Sequence, residues 1–192
     1  MKIIYKFMFV SLSVLTFVSA SDFAVDKSHS QVGFRVKHMM ISNVDGKFKE
    51  YDTDIEFNTK TMLFESLEAT METKSVDTGI EDRDNHLRSN DFFAAKKYPE
   101  ITFVMTSYKG DKESGKMDGN LTIRGISKQL TMDVEIGGVI KDPSGMTRIG
   151  FSMAGKIQRK DFGLKWNKLL EAGGLAVSET VKIQIEIEAI ED

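Results

Sequence analysis

Three histidines, His29, His38 and His86, are the side chains in this sequence whose ordinary proton affinity suits acid–base or metal chemistry near neutral pH. Their spacing makes neither an H-x-H nor an H-E-x-x-H pair, so metal ligation has little support. Cysteine is absent from all 192 residues, which removes thiolate nucleophiles, sulfur-bound zinc and iron–sulfur clusters. No G-x-S-x-G nucleophile elbow and no P-loop occurs, and Ala172-Gly173-Gly174 lacks the strand–helix context of a phosphate cradle. The sequence therefore assigns no catalytic residue, no metal and no cofactor. Two histidines still have addresses. His38 shares the parity of Val32, Phe34 and Val36, so it faces inward at a strand end, as a satisfied core histidine or beside the polar head of a ligand. His86 stands among Arg83, Asp84, Arg88 and Asp91, which read as a solvated helix face, with closure over a polar head as the alternative. His29 has the opposite parity and belongs near a rim.

The elements that must position these groups are strands. Gln31 to His38 alternates apolar and polar with period 2, the signature of a half-buried strand. The same alternation recurs at Val44–Phe57, Leu67–Met71, Ile101–Met105, Met117–Ile123, Leu130–Ile136, Ile149–Met153 and Val181–Ile187. The parity change between Phe48 and Tyr51 predicts a bulge or corner. Gly110–Gly115, Arg124–Lys128 and Lys141–Gly145 read as hairpin turns, and no helix-length crossover separates these later strands. About eight antiparallel strands suffice to close a barrel that holds one small ligand. Residues 78–97 break the pattern: they read as a short helical insert capping one end, with Thr78 and Glu81 as a capping box. Residues 159–174, which include the one tryptophan, Trp166, read as a long rim loop.

The inward parity collects methionine and phenylalanine: Met71, Met105, Met117, Met132 and Met153 with Phe34, Phe48, Phe103 and Phe151. Flexible thioethers fill irregular gaps, so the set suits either plain core packing or a pocket for a long, bendable apolar chain. The candidate lining residues are Val32, Phe34, Val36, His38, Phe48, Leu67, Met71, Phe93, Phe103, Met105, Leu121, Ile123, Met132, Phe151, Met153 and Trp166.

Residues 1–20 combine a basic start (Lys2, Lys6), an apolar run from Phe7 to Val18 and a Val18-Ser19-Ala20 cleavage site, the pattern of a secretory signal peptide. The expected mature domain is 21–192. Removing Lys2 and Lys6 from the 26 basic residues leaves 24 against 29 acidic ones, a net charge of −5. No basic block marks a nucleic-acid partner. An exported chain without cysteine is most simply periplasmic. Asn120-Leu121-Thr122 is a glycosylation sequon that reads first as an unmodified strand position.

Several segments in order carry a resemblance: Asp26-Lys27-Ser28-His29-Ser30 into Val32–His38, Gly46-Lys47-Phe48, Asp77-Thr78-Gly79, Arg83–Ser89 with Asp91-Phe92-Phe93, Tyr98–Phe103, Gly119–Gly125 and Arg159–Gly163. With them the chain resembles the YceI-like, polyisoprenoid-binding periplasmic proteins over essentially its whole mature length. The resemblance implies an all-β, eight-stranded antiparallel lipocalin-like barrel with an elongated apolar channel. It also implies an amphiphilic lipid ligand, isoprenoid or fatty-acyl, and a homodimer. The expected function is a lipid carrier or sequestering protein that makes transient membrane contact and needs no cofactor beyond its lipid. The alternatives are a lipid-modifying enzyme using His38 or His86, and a protein-interaction module.

Overall fold

Period-2 alternation becomes a continuous cylindrical wall in the computed structural model, which describes residues 20–171 and 173–192. The expected signal peptide, apart from Ala20, lies outside the described residues. The strands are β1 (Ser21–Val25), β2 (Gln31–His38), β3 (Ser42–Phe48), β4 (Tyr51–Asn58), β5 (Leu63–Glu72) and β6 (Val76–Asp77). After helix α1 (Glu81–Arg88) come β7 (Glu100–Gly110), β8 (Ser114–Ile123), β9 (Ile126–Lys141), β10 (Thr147–Gln158) and β11 (Val177–Glu191). Every pairing between these strands is antiparallel.

Eleven strands fill eight places in the wall, because three of them are broken. β11 pairs with β1 near its C-terminal end and with β2 along the rest, so β1 and β2 act as two halves of one strand. β4 pairs with β1 and β3 with β2, which makes β3 and β4 the next broken strand. The break falls at Lys49-Glu50, the corner that the parity change predicts. β5 continues through a 3₁₀ turn at Thr73–Ser75 into β6, which pairs with β3. From there β7 to β11 run up and down, each beside its sequence neighbour, until β11 meets β1 and closes the barrel.

The eight-stranded closure leaves two unlike ends. At the base the connections are short, and Phe57, Phe64, Tyr108 and Phe151 stack edge to face at 4.9 to 5.2 Å. Arg148 completes this end, bonding Asp26 (2.9 Å), Asp142 (2.8 Å) and Glu188 (2.6 Å). At the other end lie the β2–β3 turn, the β8–β9 turn, the helical insert and the loop before β11. The β8–β9 turn takes two residues, Arg124 and Gly125, both in the left-handed region. Arg124 is held there by bonds from its Nη1 to the carbonyls of Phe92 and Asn90, so the turn is clamped to the insert.

The expected capping box does not form. Ile80, not Thr78, occupies the N-cap of α1 and gives no side-chain cap. The buried Asp84 carboxylate instead accepts both the main-chain N–H (2.8 Å) and the hydroxyl (2.5 Å) of Thr78. A carboxylate one turn into the helix reaches back across the bend, and Glu81 stays exposed.

Candidate functional site

The barrel interior holds a cavity of about 160 Å³. Its wall is apolar except for Gly33, Thr53 and Arg159. A volume of that size is room for on the order of ten waters, yet so apolar a lining keeps water out and favours hydrocarbon. Strand by strand, the wall contains Val32, Phe34 and Val36 from β2, Phe48 from β3, Leu67 and Met71 from β5, and Phe103 from β7. Leu121 and Ile123 of β8, Met132 of β9, and Phe151 and Met153 of β10 complete that side, and Phe93 of the insert forms part of the lid. The cavity brings these thirteen candidates together, twelve from strands by their parity and Phe93 from the insert.

Three candidates stand elsewhere. His38 and Trp166 line a second space of about 190 Å³, the mouth, together with Val44, Thr78, Arg83 and His86. Met105 lines neither space. It keeps the inward parity of Ile101 and Phe103 and is half-buried against the core, but it lies where the β7–β8 register begins to shift, beyond the reach of the cavity. Met117, expected inward, is fully buried but packs away from the cavity.

Phe34, Val36, Leu87, Phe92 and Val177 border both spaces and form a neck between them. Phe34 owes its place to Gly46 opposite it on β3: a Cβ at Gly46 would sit 2.3 Å from the Phe34 ring. An aromatic ring laid over a strand glycine covers its exposed backbone. Phe103 lies over Gly119 in the same way.

The mouth is polar on one side and aromatic on the other. His86 is partly exposed on the helix and also touches the mouth: its ring meets Trp166 edge-on at 4.9 Å and Phe92 at 5.0 Å, and its Nε2 lies 3.1 Å from Asp91. Arg83 bonds Thr78 through Nε (2.7 Å) and Nη2 (2.8 Å). Its Nη1 and the half-buried imidazole of His38 make no hydrogen bond to protein among the described residues, so the mouth offers polar groups without protein partners above an apolar neck.

Arg159 is the residue that spacing does not reveal. It is 3% exposed and lines the cavity, yet no carboxylate pairs with it among the described residues. Its guanidinium instead donates to the carbonyls of Leu164 (2.6 Å), Trp166 (2.8 Å), Ser178 (2.8 Å) and Val177 (3.3 Å). Burial pulls its proton affinity down, but a guanidinium keeps its charge in proteins. The bonds fix the rim loop, and with it Trp166, against β11. Other wall residues absent from the candidate set include Ile183, Ile185 and Ile187 of β11 and Ile55 of β4. The alternation of β11 places the three isoleucines inward, so the signal for them was present.

Asp26, His29 and Glu188 bring possible ligand atoms within 4.8 Å of one another at the base. The Arg148 guanidinium already bridges both carboxylates, so a cation's place is taken. The motif Asp26-Lys27-Ser28-His29 works as a clasp: Ser28, His29 and Arg148 all bond Asp26 and hold its carboxyl well below the usual carboxylate range.

A family model described as a YceI-like domain matches residues 23–189. A protein of Escherichia coli named Protein YceI is 39% identical over 166 residues, covering 81% of this chain and 87% of that protein. The crystal structure of a Campylobacter jejuni YceI protein is 45% identical, covers 88% of this chain and 96% of its own, and superposes with a TM-score of 0.71. A Saccharophagus degradans domain described as polyisoprenoid binding shares the fold at a TM-score of 0.64, with 15% identity over 90% of this chain and 99% of its own.

Proposed function

The chain belongs to the YceI-like family, and from that premise we propose that it binds one long-chain amphiphile of the isoprenoid or fatty-acyl class, as a carrier or sequestering protein rather than an enzyme. The tail fills the barrel, and the head rests in the mouth between His38, Arg83, His86 and Trp166. The observation that carries this reading is the apolar cavity opening through a neck into a mouth lined by His38, Arg83 and His86. Burying each methylene is worth about 0.8 kcal/mol, so a chain of ten or so carbons offsets an ordering cost of several kcal/mol without a polar anchor in the tube. The polyisoprenoid binding ascribed to the Saccharophagus domain supports the ligand class.

The same reading has the protein act in the periplasm after cleavage behind Ala20, as the homodimer that the family resemblance implies. N-terminal sequencing of periplasmic protein and sedimentation velocity check these two points. The binding test is native mass spectrometry of protein from its own periplasm, with lipid extraction of the same sample. One amphiphile per chain is the expected result. No stoichiometric lipid, together with no rise in Tm on adding an isoprenoid quinone or a fatty amide, would overturn the reading.

A further inference from the structure

We propose that the rim beside the mouth is a membrane-docking tip, at which the β2–β3 turn and the loop before β11 enter the surface of a lipid bilayer and bring the mouth to its cargo. This rests on the lipid-binding reading and adds the place where lipid passes in and out. The turn reads Met39-Met40-Ile41, and all three side chains are exposed, Ile41 to 86%. Leu169 on the neighbouring loop is 77% exposed. The two segments are joined: Met39 N–H bonds the Ala176 carbonyl at 2.8 Å, and Met40 lies beside Gly174. Four large apolar side chains thus project from these two joined segments.

The turn's backbone makes their presence more telling. Met39 and Met40 both adopt left-handed conformations, at φ 48° and 63°. Glycine, asparagine and aspartate suit such positions in a hairpin turn, and they are polar or small. Apolar side chains here oppose both local conformation and solvent exposure, so neither folding nor solubility accounts for them.

The position names the occupant. His38, directly before the turn, and Trp166, three residues before Leu169, both line the mouth, so the tip and the entrance are contiguous. A lipid leaving a bilayer here would pass from hydrocarbon to neck past a short polar belt. Lys37, Lys165 and Lys168 flank the same two segments, exposed and in no ion pair among the described residues, where they can reach lipid phosphates while the apolar tips insert. Tryptophan beside such a tip suits the headgroup layer. A second copy of the chain fits less well. A stable protein interface engages some 20 residues a side on matched surfaces, and four projecting side chains do not make one.

The test uses protein beginning at Ser21, which contains the whole barrel, and vesicles of phosphatidylethanolamine and phosphatidylglycerol. The variant carries Met39→Asn, Met40→Gly and Ile41→Thr, a turn sequence that suits the left-handed backbone and so preserves Tm. Flotation should show the variant binding vesicles about tenfold more weakly or worse. Transfer of a fluorescent fatty amide from vesicles into the barrel should slow by a similar factor. Affinity for the same probe offered from dilute solution should not change. Equal flotation of the two proteins overturns the docking tip. So does a fall in sedimenting mass in the variant, which would make the turn a contact between copies. If neither protein takes up the probe from solution, the cavity reading fails instead, and flotation still decides the tip.

Discussion

The two ends of the barrel use arginine in opposite ways. At the base, Arg148 bonds carboxylates: Asp26, Asp142 and Glu188. Around the mouth, arginines bond main-chain carbonyls. Arg88 reaches Lys74 (2.7 Å) and Val76 (2.8 Å), Arg124 reaches Phe92 and Asn90, and Arg159 reaches two carbonyls of the rim loop and two at the start of β11. The contrast follows from chain geometry. Short base turns leave few main-chain groups unpaired, so ion pairs suffice to tie neighbouring strands. The mouth is built from long irregular segments whose carbonyls have no ladder partner, and a planar guanidinium with five donors satisfies several at once. The mouth is thereby held without placing carboxylates in the apolar cavity wall.

The largest test of this contrast is Arg159→Leu. Leucine fits the apolar wall but leaves four carbonyls without donors, two of them in the loop that carries Trp166. Each unmade bond to a buried group costs about 1–3 kcal/mol, so the expected loss is about 3 kcal/mol or more. For a domain of this length that lowers Tm by roughly 6–12 °C. Calorimetry measures it, and a loss below about 1 kcal/mol would mean that water replaces the guanidinium and that the loop is held by something else.

Next in size is Gly46→Val, which acts on the neck. The new side chain would collide with the Phe34 ring, now 2.3 Å from a Cβ at that position, and push it toward the lumen. Overpacking of this kind costs about 1–3 kcal/mol. The sharper effect is on uptake of a fatty amide, which should fall well beyond the change in stability because Phe34 borders cavity and mouth together. Unchanged uptake would show that the neck lies elsewhere. Gly119→Val, under Phe103, separates the neck from the wall: it overpacks a cavity-lining ring that does not border the mouth.

How far the sequence made these ends legible differs residue by residue. The row Val32, Phe34, Val36 and the inward methionines Met71, Met132 and Met153 followed from period 2, because a regular strand leaves parity intact. Met105 shares that parity with Ile101 and Phe103 yet lines no cavity, because alternation tells inward from outward and not how far the lumen runs along a strand. β1 was not read as a strand: five residues with one core side chain, Phe23, carry too little alternation beside an apolar leader. Arg159 was hidden for another reason. Its bonds run to carbonyls, which every residue has, so no complementary residue type marks its partner in the sequence. The clasp at Asp26 and the mouth role of His86 depend on contacts 122 and 80 residues away, to Arg148 and Trp166, which local pattern does not encode.

The base should reveal itself through pH, and Arg148→Met sharpens the contrast there. Asp26, bonded by Ser28, His29 and Arg148, and Asp142, bonded by Ser144 and Arg148, both keep their carboxyls well below the ordinary value. A depressed folded pKa stabilises the fold above the unfolded value of about 4, and that stability is lost as pH falls through the folded one. His29 works in the other direction: Asp26 raises its pKa, so its contribution is complete below about pH 6.5 and fades as pH climbs past its folded value. Acid should therefore loosen β1 and the β9–β10 turn before the rim loop, whose Arg159 holds carbonyls that do not titrate. Hydrogen exchange between about pH 4 and 2 would resolve the order. Arg148→Met should flatten the acid limb of stability while leaving protection of α1 unchanged; an equally steep limb would place the acid-sensitive groups outside the clasp.

The smallest expected effect is optical, and it belongs to the mouth. Trp166 touches His86 and Phe92 and is the single tryptophan, so its emission reports this one spot. An amphiphile whose head rests there should shift the emission, and His86→Ala should abolish most of that shift while costing little stability, since the histidine is partly exposed. The base variant Arg148→Met should leave the shift intact. If the shift instead survived in His86→Ala and vanished in Arg148→Met, the head would lie at the base and the tail would point to the neck, reversing the ligand in the barrel.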